Sequence, residues 1–511
     1  MSDVNSEIDK AVTGRYPIIY LNSPEEQRMV AMIQYYAQQH TTAMPVITWS
    51  CTSGFDNHFT SEVITDPLQA LKLVLAADAP GFFVMKDLLD YVDQPGVERL
   101  LRDAYEKLGR QQGRHIVITA VDRSVPVALR NQVYRIEVGM PGYKEMLQYL
   151  QAFKNGEAAA KLPEDVLKNI ALSLMGLTLN DATHIMHQIL HSDTLSADLL
   201  AGLINENKKR LVAGGGLSSL EFVPVDFDIS QIGGLDRLKE WIEKRRRFFT
   251  HKAQLSGMPV PKGILVMGIS GCGKSMAAKV VAKTWRVPLF RLDMNLLFSQ
   301  MQSTPEAAFH RAMQAVESAA PAVLWIDEIE NGFGLLGGDD FNQSHVFSAF
   351  LTWMQEKSPL VFVAATANRI ESLPAELIRK GRFDQVFFCD LPDQKERAEI
   401  LQIHIRANKQ NPDDFDIDYL TSKTEGWNGA EIELAVKGAR IDAYSRNRNF
   451  TVKDIAQQME MIVPLSETMK EQINRIKDWA WDRATPASTG KGREMSFTEE
   501  GMDMELPPNG E

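Results

Sequence analysis

The chain has 511 residues, 44% of them hydrophobic and 24% charged, with a formal net charge of −12. This suits a soluble globular protein of about three domains, large enough to bury a core without disulfides or metals, and its acidity argues against a general nucleic-acid binder. Cys51, Cys272 and Cys389 lie far apart and fit neither a disulfide frame nor a zinc pattern, which points to a reducing, cytoplasmic setting; the polar N-terminus and the lack of a run of about 18 apolar residues argue against a signal peptide and a membrane span.

In chain order, Ile18-Ile19-Tyr20-Leu21 reads as a strand followed by a turn and a helix. Gly81–Asp87, His115–Arg123 and Val133–Val138 read as further strands. Residues 162–212 read as helical, with Asp181 and Ser192 as candidate caps. Gly214-Gly215-Gly216-Leu217-Ser218-Ser219 reads as a linker. Then Gly263-Ile264-Leu265-Val266-Met267, a buried-strand candidate, runs into Gly268-Ile269-Ser270-Gly271-Cys272-Gly273-Lys274-Ser275, and a helical stretch from Met276 follows. Strands at Leu289–Leu292, Val323–Ile326, Leu360–Ala365 and Val386–Cys389 alternate with helices, which implies a parallel sheet covered on both faces. Beyond Asp393 the pattern is helical. Leu465–Ala484 reads as one amphipathic helix carrying Trp479 and Trp481, and the Pro-, Gly-, Ser- and Glu-rich tail from Thr485 is expected to be disordered.

The first half reads as a worn copy of the second. Asp87 matches Asp327, Asp122 matches Asn368 and Pro141 matches Pro392, at offsets of 240, 246 and 251. Ordered matches at nearly constant spacing indicate an internal repeat. Placing Tyr20 over Val266 sets Gln27 and Arg28 where Gly273 and Lys274 stand, and Met29 where Ser275 stands, so the first copy is expected to bind no nucleotide.

Gly268 to Ser275 fits the phosphate-loop pattern G-x-x-x-x-G-K-[ST] in its strand–loop–helix context. The glycines let successive N–H groups face phosphates, and the following helix adds its positive end. Lys274 would reach the β- and γ-phosphates of ATP and Ser275 would ligate Mg2+. Val323-Leu324-Trp325-Ile326-Asp327-Glu328 delivers two carboxylates from an apolar strand, Asp327 for the metal shell and Glu328 as general base. Asn368, at the end of the next strand, would position the lytic water or touch the γ-phosphate.

On these motifs, residues 226–465 resemble an AAA ATPase module. Ile232-Gly233-Gly234-Leu235 resembles the motif that packs near adenine. Leu377-Ile378-Arg379-Lys380-Gly381-Arg382-Phe383-Asp384 resembles the arginine-finger segment. His404 matches the lid histidine, and Gly426-Trp427-Asn428-Gly429-Ala430-Glu431-Ile432 resembles the lid motif whose Gly429 and Ala430 lie near the nucleotide. Trp325–Glu330, Phe350–Lys357 and Pro464–Met469 are most similar to a branch encoded in cyanobacterial and some plastid genomes. The resemblance implies nucleotide contacts from Ile232, Gly233, Gly268, Ser270, Gly271, Cys272, Gly273, Lys274, Ser275, Met276, His404, Gly429 and Ala430. It implies Mg2+ at Ser275 and Asp327, and catalysis by Glu328 and Asn368 with Arg379 and Arg382 acting across a subunit boundary. It further implies a homo-oligomer, as a hexameric ring, that remodels a protein partner.

The expected architecture is α/β. A degenerate AAA-like domain spans 1–160, followed by a helical segment over 161–213 and a linker over 214–225. The AAA large subdomain spans 226–393, the helical lid 394–465, a C-terminal helix 466–484 and the tail 485–511. One departure stands out. The family's pore loop carries an aromatic residue before a Gly-Glu-Ser-Glu ending, whereas Ser299–Glu306 has Met301 there and retains only Glu306, which puts polypeptide threading in doubt. An ATP-controlled regulatory or scaffolding protein with low turnover is the alternative function. Cys272, at a helix N-terminus, could carry a lowered thiol pKa or be a tolerated small residue. Lys244-Arg245-Arg246-Arg247 beside Glu240 and Glu243 reads as a solvated helix face or subunit contact rather than a nucleic-acid patch.

Overall fold

Ile18 and Tyr20 pack on one face of the first strand and Ile19 and Leu21 on the other, and all four are fully buried. A strand apolar on both faces needs helices on both sides, and the chain builds that arrangement twice. In the computed structural model the described residues are 2–39, 44–56, 59–110, 113–156, 163–190, 197–214, 218–225, 227, 229–249, 260–299, 304–333, 341–358, 360–379, 381–481 and 483–489. They form two compact units, residues 1–167 with 174–191, and residues 168–173 with 192–511.

The first unit holds β1 (Ile18–Asn22), β2 (Val46–Ser50), β3 (Gly54–Phe55), β4 (Gly81–Lys86), β5 (Arg114–Ala120) and β6 (Val133–Glu137), in the sheet order β3-β2-β4-β5-β1-β6. All pairings are parallel except β2 with β3. Helices Pro67–Ala76 and Pro95–Leu108 cover one face through Leu71, Val74, Leu101 and Ala104. Helices Ser2–Thr13 and Glu26–Gln39 cover the other through Ile8, Met29, Met32 and Ile33.

The second unit holds β7 (Leu220–Val223), β8 (Gly263–Gly268), β9 (Leu289–Leu292), β10 (Ala322–Ile326), β11 (Val361–Ala367), β12 (Gln385–Cys389) and β13 (Thr485–Pro486), in the order β13-β12-β8-β11-β10-β9-β7. Only β7 pairs antiparallel, with β9. Counted within each unit, the five core strands run second, third, fourth, first, fifth: β2-β4-β5-β1-β6 and β9-β10-β11-β8-β12. The expected α/β repeat is therefore present as topology. A lid follows the sheet, with helices Gln394–Ala407, Ile417–Ser422, Gly429–Ser445 and Val452–Met459 packed around Leu401, Leu420, Trp427, Val436 and Ile455. Capping boxes at Asp393/Glu396 and Asn428/Glu431 fix where two of these helices begin.

The structure departs from the sequence reading in several places. Only Ser23-Pro24-Glu25 separate β1 from the helix beginning at Glu26, whereas Ile269–Gly273 separate β8 from the helix beginning at Lys274. The first loop is shorter, so Arg28 falls inside the helix rather than at its start. It is buried, donating from Nε to Glu145 Oε1 (2.6 Å), from Nη2 to Glu145 Oε2 (3.0 Å), and from Nη1 to Glu25 Oε2 (3.0 Å) and the Gly139 carbonyl (2.7 Å). Asp87 follows β4 directly, as Asp327 follows β10, but it takes the left-handed backbone (φ 52) that in the second unit falls one residue later, at Glu328 (φ 48). Asp181 is not a cap. It sits in the first turn of helix Leu179–Leu190 and accepts from the Thr178 hydroxyl (2.7 Å), while its own N–H donates to that hydroxyl (3.0 Å).

The C-terminal region also differs. Leu465–Ala484 is broken into helices Leu465–Thr468 and Lys470–Trp481. The tail is ordered over Thr485–Thr489, because β13 pairs with the edge of β12 and Ala487 is fully buried. Ser192, residues 215–217 of the linker, Met301 and residues 490–511 lie outside the described residues.

Because Arg28 neutralises two buried carboxylates, we predict that Arg28→Met destabilises the first unit by about 3–5 kcal/mol, read as a lowered unfolding midpoint in denaturant.

Candidate functional site

β8 ends at Gly268, and three glycines make the loop beyond it possible. Gly268 (φ 144), Gly271 (φ 77) and Gly273 (φ 84) lie in backbone regions that side chains disfavour. A Cβ on Gly268 would overlap the Cys389 carbonyl, and one on Gly271 would stand 2.7 Å from Asn428 Oδ1. The loop is thus bounded by β12 on one side and by the lid on the other. Ala430 N–H donates to the Gly271 carbonyl (3.2 Å), and a Cβ on Gly429 would lie 3.2 Å from the same oxygen.

Lys274 begins the helix Lys274–Trp285 and is 7% exposed. Its Nζ donates to the carbonyls of Gly268 (3.0 Å) and Ile269 (2.8 Å), and burial pushes its pKa down. A buried ammonium that has only neutral carbonyls as acceptors is set to receive an anion. Ser270 is exposed, while Ser275 and Met276 are half-buried. Cys272 is half-buried, and burial pushes its thiol well above the usual value, so the reactive-thiol reading does not hold.

Asp327 and the backbone of Glu328 meet on one hydroxyl. Thr366, near the end of β11, is 2% exposed. Its Oγ1 donates to Asp327 Oδ1 (2.6 Å) and accepts from Glu328 N–H (3.0 Å), while Ser275 Oγ donates to the same Asp327 oxygen (3.4 Å). Asn368 Nδ2 donates to Glu328 Oε1 and Asn331 Nδ2 to Glu328 Oε2, both at 2.7 Å. Asn331 is held by Arg369 Nη2 (2.8 Å). Glu330, 1% exposed, accepts the backbone N–H groups of Asn368 (2.8 Å) and Arg369 (3.1 Å) through Oε1. The structure therefore brings Ser275, Asp327, Glu328 and Asn368 together. It adds Thr366, Glu330, Asn331 and Arg369, which the sequence reading did not give site roles. Thr366 lies two residues before Asn368 on one strand, a period-2 signal that was legible.

The Ile232–Leu235 motif packs on the lid. A Cβ on Gly233 would lie 2.8 Å from Ile400 Cγ1, and Gly234 N–H donates to Glu399 Oε2 (3.2 Å). Ile232 is buried, and its carbonyl accepts from Lys239 Nζ (2.6 Å). His404 lies on helix Gln394–Ala407, and burial pushes its imidazole below the usual pKa, so it is neutral at pH 7.

Arg379 and Arg382 stand apart from this cluster. Asp384 N–H donates to the Gly263 carbonyl (2.9 Å) at the start of β8, and the phosphate loop begins at its other end. At about 3.3 Å per residue, these ends are roughly 17 Å apart. Arg379 is exposed, and Arg382 Nη1 donates to the Leu351 carbonyl. In the basic run, Lys244 pairs with Glu240, Arg246 pairs with Glu243 and Arg245 lies over the Trp241 ring (3.8 Å), which makes it a neutralised helix face. No helix among the described residues is long and apolar enough to cross a membrane.

A parallel α/β sheet whose strand ends carry a glycine loop, a buried lysine and paired carboxylates defines an AAA ATPase domain. Residues 264–391 match the family described as "ATPase family associated with various cellular activities (AAA)", and residues 4–138 match "SpoVK-like AAA ATPase, N-terminal domain". The AAA domain-containing protein ycf46 of Guillardia theta is 35% identical over 478 residues, covering 91% of this chain and 93% of its own. That of Pyropia yezoensis is 34% identical over 496 residues, covering 95% and 98%. The chain belongs to this ycf46 family of AAA domain-containing proteins. It is also similar, at 28% identity over 406 residues, to the "ATP-dependent zinc metalloprotease FTSH 2, chloroplastic" of Oryza sativa subsp. japonica, covering 73% of this chain and 55% of that protein.

Removing the shared hydroxyl with Thr366→Val leaves Glu328 N–H without its acceptor and Asp327 with only the longer Ser275 bond. We predict a loss of about 1–3 kcal/mol, read as a lower denaturation midpoint with unchanged secondary structure.

Proposed function

We propose that the second unit binds and hydrolyses Mg2+–ATP and, assembled with copies of itself, uses the cycle to remodel a protein partner. The observation that carries this reading is one hydrogen-bonded chain, in which Thr366 Oγ1 joins the Asp327 carboxylate to the Glu328 N–H and Asn368 holds the Glu328 carboxylate, beside the glycine loop and Lys274. The donor set fits the missing groups. Gly268 and Gly271 leave room where a Cβ would clash, Lys274 offers a buried cation, and Ser275 with Asp327 offers the hard oxygens that Mg2+ prefers. When bound, the metal would neutralise charge on the phosphate oxygens.

The loop N–H groups and Lys274 hold the phosphates. Glu328 draws the proton from water, and Asn368 orients both Glu328 and that water. Ile232, Gly233, His404, Gly429 and Ala430 border the base and ribose, with Ser270, Cys272 and Met276 contributing loop backbone. Arg379 and Arg382, at the opposite end of β8, would serve a neighbour's ATP, which requires a ring, read here as a hexamer. The first unit, whose Arg28 is neutralised by Glu25 and Glu145, binds no nucleotide.

A second reading, an ATP-controlled scaffold with low turnover, is favoured by one observation. Both oxygens of Glu328 are engaged by amides, Asn331 and Asn368, in this structure.

Lys274→Ala should abolish ATP binding, since each lost charge-assisted bond is worth about 1.5–3 kcal/mol; unchanged affinity in a titration would overturn the site assignment. Glu328→Gln should bind ATP normally and lose hydrolysis, and a wild-type rate would remove Glu328 as the base. If the wild type binds ATP but barely turns over even in its assembled form, the scaffold reading stands. Arg382→Ala should bind ATP and hydrolyse it poorly. Mixing it with Lys274→Ala should restore part of the rate, and full activity of a monomer would refute action across subunits.

A further inference from the structure

The five residues after the C-terminal helices run back to the nucleotide side of the sheet. Thr485 and Pro486 pair with Phe387 and Phe388 of β12, and Ala487 N–H donates to the Phe388 carbonyl (2.8 Å). The chain then crosses to the Ile232–Leu235 motif. Leu235 N–H donates to Ser488 Oγ (3.2 Å), Leu238 N–H to the Ala487 carbonyl (3.1 Å), and Thr489 Oγ1 to Asp236 Oδ2 (3.5 Å).

Leu235 is the residue that needs such support. It sits at φ 59 immediately before helix Asp236–Arg245 and has no side-chain cap of its own. A left-handed backbone at a branched apolar residue persists only when its surroundings hold it, and the first N–H groups of a helix need outside acceptors. Ala487 and Ser488 supply both. Leu235 in turn reaches the phosphate loop. It is 6% exposed, and its Cδ1 lies 3.4 Å from where a Gly273 Cβ would stand.

We propose that the strap Thr485–Thr489 is a positioning element for the nucleotide, with Ser488 and Ala487 holding Leu235 against the last glycine of the phosphate loop. The inference rests on the reading of this site as an ATP site. Asp327, Glu328, Thr366 and Asn368 make no contact with the strap through the hydrogen bonds described above, so its loss weakens nucleotide binding and leaves the chemical step intact. The signature is a raised KM with kcat retained.

The test compares the full chain with chains ending at Thr489 and at Ala484, and with Ser488→Ala and Ser488→Thr. All are assayed at one protein concentration for binding of a fluorescent ATP analogue and for ATPase kinetics. Ending at Thr489 should change nothing. Ending at Ala484 should raise Kd and KM about tenfold, roughly the worth of one or two hydrogen bonds. Ser488→Ala should raise both a few-fold, and Ser488→Thr, which keeps the hydroxyl, should restore them. If the chain ending at Ala484 does not fold, by its circular dichroism and melting, the Ser488 pair decides alone. Wild-type binding in Ser488→Ala, a fall confined to kcat, or no rescue by threonine overturns the proposal. Lys274→Ala in the same titration separates the two claims: affinity lost there but unchanged in the strap variants sinks only the strap, while affinity retained there sinks the ATP site itself.

Discussion

The site depends on the parallel pairing of β8 between β11 and β12. This pairing brings the carboxyl ends of β8, β10 and β11 to one rim, so a glycine loop, two carboxylates and an asparagine from distant parts of the chain meet. Ligands bind at such a rim because strand ends leave a crevice and helix N-termini face it. The same pairing sets the opposite rim, where Asp384 ties β12 to Gly263 and holds Arg382 away from its own phosphate loop. One sheet register thus sets the phosphate loop and Arg382 at opposite ends of β8.

The two units differ at this rim in loop length and in what surrounds their buried cation. Both keep the strand order and both end their third core strand on an acidic residue with left-handed backbone, Asp87 and Glu328. In the first, the shortened loop withdraws Arg28 into the helix, where Glu25 and Glu145 neutralise it. In the second, Lys274 stays at the helix start facing only carbonyls. A buried cation needs a counter-charge. The first unit supplies that charge from its own chain, and the second leaves the place for a ligand.

Around Glu328 the polar groups form a connected network rather than isolated pairs. Glu330 fixes the backbone at Asn368 and Arg369, Arg369 fixes Asn331, and Asn331 with Asn368 fixes Glu328. Networks of this kind hold a base to one geometry because each member's rotamer is set by the next. The C-terminal strap does the equivalent at Leu235, through the Ala487 carbonyl and the Ser488 hydroxyl.

The sequence determined the elements whose signal is local. Buried strands such as Gly263–Met267 and Val323–Ile326 announce themselves as short apolar runs, and the phosphate loop is legible because its glycines, Lys274 and Ser275 are contiguous. The repeat was visible because strand ends recur in the same order at nearly constant spacing. The edge strands β3, β7 and β13 gave no such signal. An edge strand is half-solvated and reads as polar chain, and Thr485–Thr489 looked like disorder because its partners are Phe387, Phe388 and Leu235, far away in sequence. The placement of Arg28 likewise needed the true length of the loop between β1 and its helix. Glu330 and Asn331 acquired roles only in three dimensions, since a carboxylate or amide becomes a site residue through what the fold sets within hydrogen-bond reach, and that distance is a property of sheet register rather than of residue type.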